Sequence, residues 1–172
     1  MTTRYQLSCS TRFYASPDQV WALKTDLERI GEEMSPLLRF SLDEAAARAA
    51  LRGEGVPRTV DGKIWGLVSW PFEFVSYAPG QRFVDRSSNA LFSAWEHEHI
   101  VEQASDAVRY VDIVRFTPAV GPAKLVAIAV QRFFQRRHRR AARHLPTDGR
   151  ATAVALLRED REIEKEANRG FM

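Results

Sequence analysis

The chain has 172 residues, 45% hydrophobic, 10% aromatic and 27% charged, a composition that suits one domain with its own core and excludes a disordered chain. No run approaches the roughly 20 apolar residues of a bilayer span, and the opening MTTRYQLSCS lacks the apolar centre of a secretory signal. Cys9 is the single cysteine, which excludes an internal disulfide and a Cys-rich zinc site and leads us to expect a reducing, cytoplasmic location.

Residues 3–14 (TRYQLSCSTRFY) carry β-formers without a breaker and predict a strand. Ser16-Pro17-Asp18 then places proline at a first helical position with an acid in the first turn. Val20, Leu23 and Leu27 share one face of the helix that follows, with Trp21 beside them. Leu27 to Met34 predicts a second short helix, and Pro36 to Leu42 a strand. The Ala-rich DEAAARAALRG predicts a short helix closed by Gly53.

From Arg58 to Thr117 the period changes. IWGLVSW, FEFVSY, RFVDRSS, LFSAWEHEHIVE and VRYVDIVRF are β-rich runs, separated by turn signals at Pro71, Pro79-Gly80, Ser88-Asn89 and Ser105-Asp106. Short turns between consecutive strands imply antiparallel pairing. Gly121-Pro122 opens a helix expected to run from Ala123 to about Leu145, with Leu125, Val126, Ala129, Val130, Phe133 and Phe134 as its apolar stripe. Residues 150–168 predict a further, charge-laced helix anchored by Val154, Leu157 and Ile163. The architecture expected is α+β: a curved antiparallel sheet wrapped around one long C-terminal helix, with two short helices closing one end. Such a sheet leaves a cavity under the helix.

This order, and the phrase Phe13 then SPDQVWAL then Thr25-Asp26, resembles the START-like, or SRPBCC, superfamily with its helix-grip fold. Phe83, Asp85, Trp95, His97, His99, Glu102, Asp112, Phe116, Pro118 and Gly121 resemble the W-x-H-x-H motif set of a bacterial subgroup. The resemblance spans about residues 3–145 and leaves out 43–56 and the chain after Pro146. We therefore expect a domain over 1–147 and a charged helical tail over 148–172. Relatives include polyketide cyclases, coenzyme Q-binding proteins and lipid carriers, so the resemblance implies a hydrophobic-ligand cavity but no single reaction.

The hairpin 91–117 can be registered from charge alone. A turn at Gln103 to Ala107 sets Glu96 opposite Arg115 and Glu102 opposite Arg109. The other face then carries Trp95, His97, His99 and Val101 opposite Phe116, Val114, Asp112 and Tyr110. Together with Phe133 these are the expected ligand-lining residues. His97, His99 and Asp112 admit three readings: mutual hydrogen bonding, recognition of one polar end of a ligand, or acid–base or two-His-one-carboxylate chemistry. Trp65, Trp70, Phe72, Phe74, Tyr77, Phe83 and Phe92 read as core, and in this fold core and cavity wall are one surface.

Charge is uneven along the chain. From Arg109 to Arg143 there are nine Lys or Arg against one carboxylate, Asp112. Arg136, Arg137, Arg139, Arg140 and Arg143 are expected to be exposed, as the wet face of a helix or as a contact for an anionic membrane surface. No recognition motif accompanies the charge, so nucleic acid is not the expected partner. There is no glycine-rich phosphate loop, activated serine motif or nucleotide fingerprint, and no cofactor or metal is expected. The function expected is binding of a small hydrophobic or amphipathic molecule such as a lipid, isoprenoid or polyketide. The alternative is a cyclase or dehydratase using His97, His99 and Asp112, and a third class would use the Arg-rich helix for docking.

Overall fold

A computed structural model describes residues 3–34, 39–147 and 153–158. The first β-rich run forms β1 (Tyr5–Phe13), which buries Tyr5, Leu7, Cys9, Thr11 and Phe13 at a period of two. Helix α1 (Pro17–Thr25) starts at a capping box: the Ser16 hydroxyl accepts from the Gln19 amide, and the Gln19 side chain accepts from the Ser16 amide. Helix α2 (Leu27–Met34) follows at once, then β2 (Phe40–Leu42) and α3 (Glu44–Leu51), which Asp43 caps. Behind α3, Gly53 takes a φ of 77° and lies so close to the Tyr77 ring that a Cβ there would fall 2.3 Å from it.

The predicted meander resolves into β3 (Arg58–Val60), β4 (Gly62–Ile64), β5 (Val68–Ser69), β6 (Phe72–Ala78), β7 (Arg82–Ser87), β8 (Phe92–Gln103) and β9 (Val108–Pro118). IWGLVSW is therefore two short strands around a tight turn, not one. Trp65 and Gly66 both adopt positive φ there, and the Leu67 amide donates to the Ile64 carbonyl. Helix α4 (Ala123–Ala141) ends four residues before the expected Leu145. A final strand, β10 (Ala153–Arg158), pairs with β1.

Every pairing among the described residues is antiparallel. The main sheet has seven strands in the order β10-β1-β9-β8-β7-β6-β3, and β2-β4-β5 form a smaller one. Register shifts at Phe74/Ser76 and Phe92/Ala94 interrupt two ladders, as expected where a sheet bends. The architecture is the α+β helix-grip arrangement: a large curved antiparallel sheet, one long helix across it, and short helices at one end.

Three expectations need correction. The helix predicted over 150–168 is a strand at 153–158, because Val154 and Leu156 pack into the core at a period of two and complete the edge beside β1; the rest of that segment lies outside the described residues. The buried stripe of α4 is Ala127, Val130, Phe134, Arg137, His138 and Ala141, rotated from the expected one, and leaves Leu125 62% exposed. Arg137 is consequently buried, not exposed, while Arg136, Arg139 and Arg143 are exposed and Arg140 is half-buried, donating to the Glu32 and Glu33 carbonyls.

Candidate functional site

The β8–β9 hairpin adopts the register expected from charge. Glu96 pairs with Arg115, Glu102 with Arg109, Trp95 with Phe116, His97 with Val114 and His99 with Asp112. On the outward face Arg115 donates to Glu96 at 2.9 Å, and Arg109 to Glu102. The inward face buries Trp95, His97, His99, Val101, Tyr110, Asp112, Val114 and Phe116.

Not all of these side chains reach the same space. A cavity of about 410 Å³ lies between the sheet, α4, α2 and α3. Trp95, His97, His99 and Phe133 line it; Val101, Tyr110, Asp112, Val114 and Phe116 do not. Val101 and Tyr110 sit in a separate cluster with Phe13, Val20 and Leu23, where α1 covers the sheet. Val114 and Phe116 pack against Tyr5 and Leu7 of β1. The inward face is thus longer than the cavity, and strands across the bend supply the remaining wall: Phe72, Phe74, Phe83 and Asp85. The segment 43–56, outside the family resemblance, contributes Ala47 and Leu51 to the roof. Trp65, 53% exposed, and the exposed Ala129 also line the cavity, so it is not sealed.

The lining is apolar except where Asp85, His97, His99 and Arg137 meet. β7 sets Asp85 opposite His97 and Phe83 opposite His99. Phe83 stacks on His99 with centroids 3.8 Å apart, and the His97 and His99 rings lie 3.7 Å apart. His99 Nε2 lies 3.1 Å from Asp85 Oδ2, and its Nδ1 lies 2.8 Å from the Tyr110 hydroxyl. Tyr110 donates to Asp112 Oδ1 at 2.5 Å. His97 Nε2 is 3.0 Å from the same Asp112 oxygen but out of line for a hydrogen bond.

A buried polar relay stands behind this patch. Asp112 Oδ2 meets His138 Nε2 at 2.9 Å, and His138 Nδ1 meets the Thr11 hydroxyl at 2.8 Å. His138 therefore donates to the carboxylate and accepts from the threonine. Arg137 reaches Glu33 at 3.1 Å and Asp112 at 3.8 Å, and Lys24 donates to Glu33 at 2.8 Å while lying over the Tyr110 ring. Burial works against the charged form of each acid, yet Arg137, His97 and His138 hold the Asp112 carboxyl well below its usual range, and Lys24 and Arg137 lower that of Glu33. Burial, reinforced by His99, drives the His97 pKa down to about 4. The Cys9 thiol is pushed up by burial and by Asp112, which leaves it unreactive.

Lys24, Glu33, Asp85, Arg137 and His138 were not among the expected site residues. Asp85 had a usable signal, because Arg86 opposite Glu96 fixes the β7–β8 register as Arg115 does for β9. Arg137 and His138 follow Phe134 by three and four positions, the spacing of one helical face.

The chain belongs to the family described as Domain of unknown function (DUF8410), whose model matches residues 11–145. No curated protein matches the chain. Among solved structures it is similar to the Zhui aromatase/cyclase from Streptomyces sp. R1128, with a TM-score of 0.60 at 12% identity over 80% of this chain and 91% of that one. Protein CV1439 from Chromobacterium violaceum gives 0.59 at 12% identity, covering 83% and 99%. Ginseng major latex-like protein 151 from Panax ginseng gives 0.57 at 15%, covering 83% and 99%. At these identities the likeness concerns the fold alone.

Proposed function

We propose that this chain binds one small hydrophobic or amphipathic molecule in the cavity under α4. The observation that carries the reading is the cavity itself: about 410 Å³, walled by aromatic and aliphatic side chains, with its polar groups confined to one patch. That size and that sparing use of polarity are what drug-sized ligand sites have. The apolar wall supplies affinity, and Asp85, His97, His99 and Arg137 fix the end of the ligand that carries oxygen. A lipid, an isoprenoid or a polyketide-like aromatic meets this description. Assignment to the W-x-H-x-H subgroup is part of the same proposal.

The test is organic extraction and native mass spectrometry of the purified protein, followed by uptake of a panel of quinones, fatty acids and fused-ring phenols. The reading expects one bound apolar molecule per chain. A protein that carries none and takes up none of the panel overturns it.

One observation favours a second reading, a cyclase or dehydratase. His97 and His99 present imidazoles to the cavity while Tyr110, bonded to Asp112, holds His99 from behind, an arrangement able to move a proton at a ligand carbonyl. Under this reading His99→Gln lowers turnover far more than affinity. A membrane contact would rest on the exposed Arg136, Arg139 and Arg143, and binding to anionic vesicles would weaken steeply with salt.

A further inference from the structure

We propose that Asp85, His97 and His99 form a binding site for one divalent first-row transition-metal ion in the cavity wall. Each residue offers one ligand atom, and these lie within 4.8 Å of one another. Asp85 Oδ2 is 3.1 Å from His99 Nε2 and 3.7 Å from His97 Nδ1. Ligand atoms about 2.1 Å from a tetrahedral metal stand about 3.4 Å apart, so only small movements separate this arrangement from a coordination shell.

The hydrogen bonds leave a place for positive charge between His99 and Asp85. Tyr110 has one hydroxyl proton and gives it to Asp112. Its oxygen must then accept from His99 Nδ1–H. In that neutral tautomer Nε2 is a lone pair, and it faces a carboxylate oxygen of Asp85 at 3.1 Å. Two acceptors oppose each other, and something positive belongs between them. A proton on Nε2 or a metal ion supplies it, and metal titration distinguishes the two. Two further groups also stand without a hydrogen-bond partner, Asp85 Oδ1 and His97 Nε2, in residues 4% and 5% exposed. Neither is an atom that would bind the metal through the close contacts above, but both belong to ligand residues, and coordination through His97 Nδ1 gives its Nε2 a partner in Asp112.

The surroundings fit a metal as well. Coordination through His97 Nδ1 turns Nε2–H toward Asp112 Oδ1, 3.0 Å away, and coordination through His99 Nε2 keeps Nδ1–H on Tyr110. Metal-bound histidines nearly always donate their other nitrogen to such a partner. All three residues line the cavity, so the remaining coordination positions face it. Two imidazoles and one carboxylate select zinc or iron(II) over calcium or magnesium. The site rests on the proposed ligand reading only in that its open positions look into the same cavity.

Chelator-stripped full-length protein titrated with Co²⁺ tests this, read by visible d–d absorption and by calorimetry, with Zn²⁺ as competitor. The expected result is one Co²⁺ per chain with the bands of a four- or five-coordinate site, displaced by Zn²⁺. Asp85→Asn, His97→Gln and His99→Gln should each weaken binding at least about 100-fold, and Tyr110→Phe about 10- to 100-fold. His144→Gln, at a histidine outside the cluster, should change nothing. Near-UV circular dichroism identifies variants that keep the fold; the near-isosteric Asp85→Asn carries the test if a histidine variant does not. Stripped, folded protein that binds no Co²⁺, or binding that survives Asp85→Asn, overturns the proposal. Uptake of an apolar fluorescent dye by the same samples separates the two readings: dye without metal sinks only the metal site, and metal without dye sinks only the ligand reading.

Discussion

Glu33 is fully buried between two cations, Lys24 at 2.8 Å and Arg137 at 3.1 Å. Removing one member of such a group strands the others, which costs far more than the group contributes when whole. Glu33→Gln should therefore cost about 3–5 kcal/mol, seen as a lower urea midpoint with an unchanged slope. Replacing Lys24 and Glu33 together by Met and Leu should cost much less. His138 shapes the pH behaviour at this scale together with His97, whose pKa of about 4 acts in the same sense. Burial pushes the His138 pKa below the usual 6.5, with Lys24 and Arg137 adding to the shift and Asp112 opposing it. The folded chain thus holds fewer protons than the unfolded one between the lowered value and about 6.5. Its contribution to stability is complete above about 6.5 and declines as pH falls through that window. Glu33, also lowered, acts in the same sense at more acid pH. His138→Gln should reduce, without abolishing, the fall in unfolding free energy as pH drops below about 6.5, because His97 still titrates there; an unchanged slope would show that His138 does not contribute to it.

The elements show which face each helix and strand must cover. α4 packs on the sheet through Val130, Phe134 and Ala141, while Leu125 stands in solvent. Phe134→Ala should cost about 3–5 kcal/mol and Leu125→Ala within about 0.5, measured by thermal and urea unfolding. If the two costs were equal, the helix would be rotated toward the stripe read from its apolar residues alone. The rotation was hard to foresee because polar Arg137 and His138 occupy core positions, and only partners distant in sequence (Glu33, Asp112, Thr11) allow that. β8 and β9 were legible because charge pairs and alternation agreed across a short turn. β10 was not: its apolar run suits helix or strand, and its partner β1 lies about 150 residues away. Deleting residues from 148 onward uncovers the β1 edge. The shortened chain should self-associate on size-exclusion chromatography at concentrations where the full chain does not.

At the scale of the whole molecule, the sheet bends around α4 and α2 and α3 roof the space left over, so the cavity has walls from residues 27 to 137. That span explains why the sequence disclosed half of the site. The β8 histidines lie in one motif, whereas Asp85, Arg137 and the roof arrive from elements that only the fold brings near. The central claim is that this space holds an apolar molecule. Ala129 sits on its lining yet is exposed, so Ala129→Trp can fill the space without disturbing the core. The direct measurement is a fluorescence titration of both proteins with an uncharged naphthalene dye, with melting temperatures recorded in parallel. The account predicts saturable one-to-one binding to the native chain, weakened at least about tenfold in Ala129→Trp, with the melting temperature retained. Equal binding by a folded Ala129→Trp, or none by either protein, would contradict it.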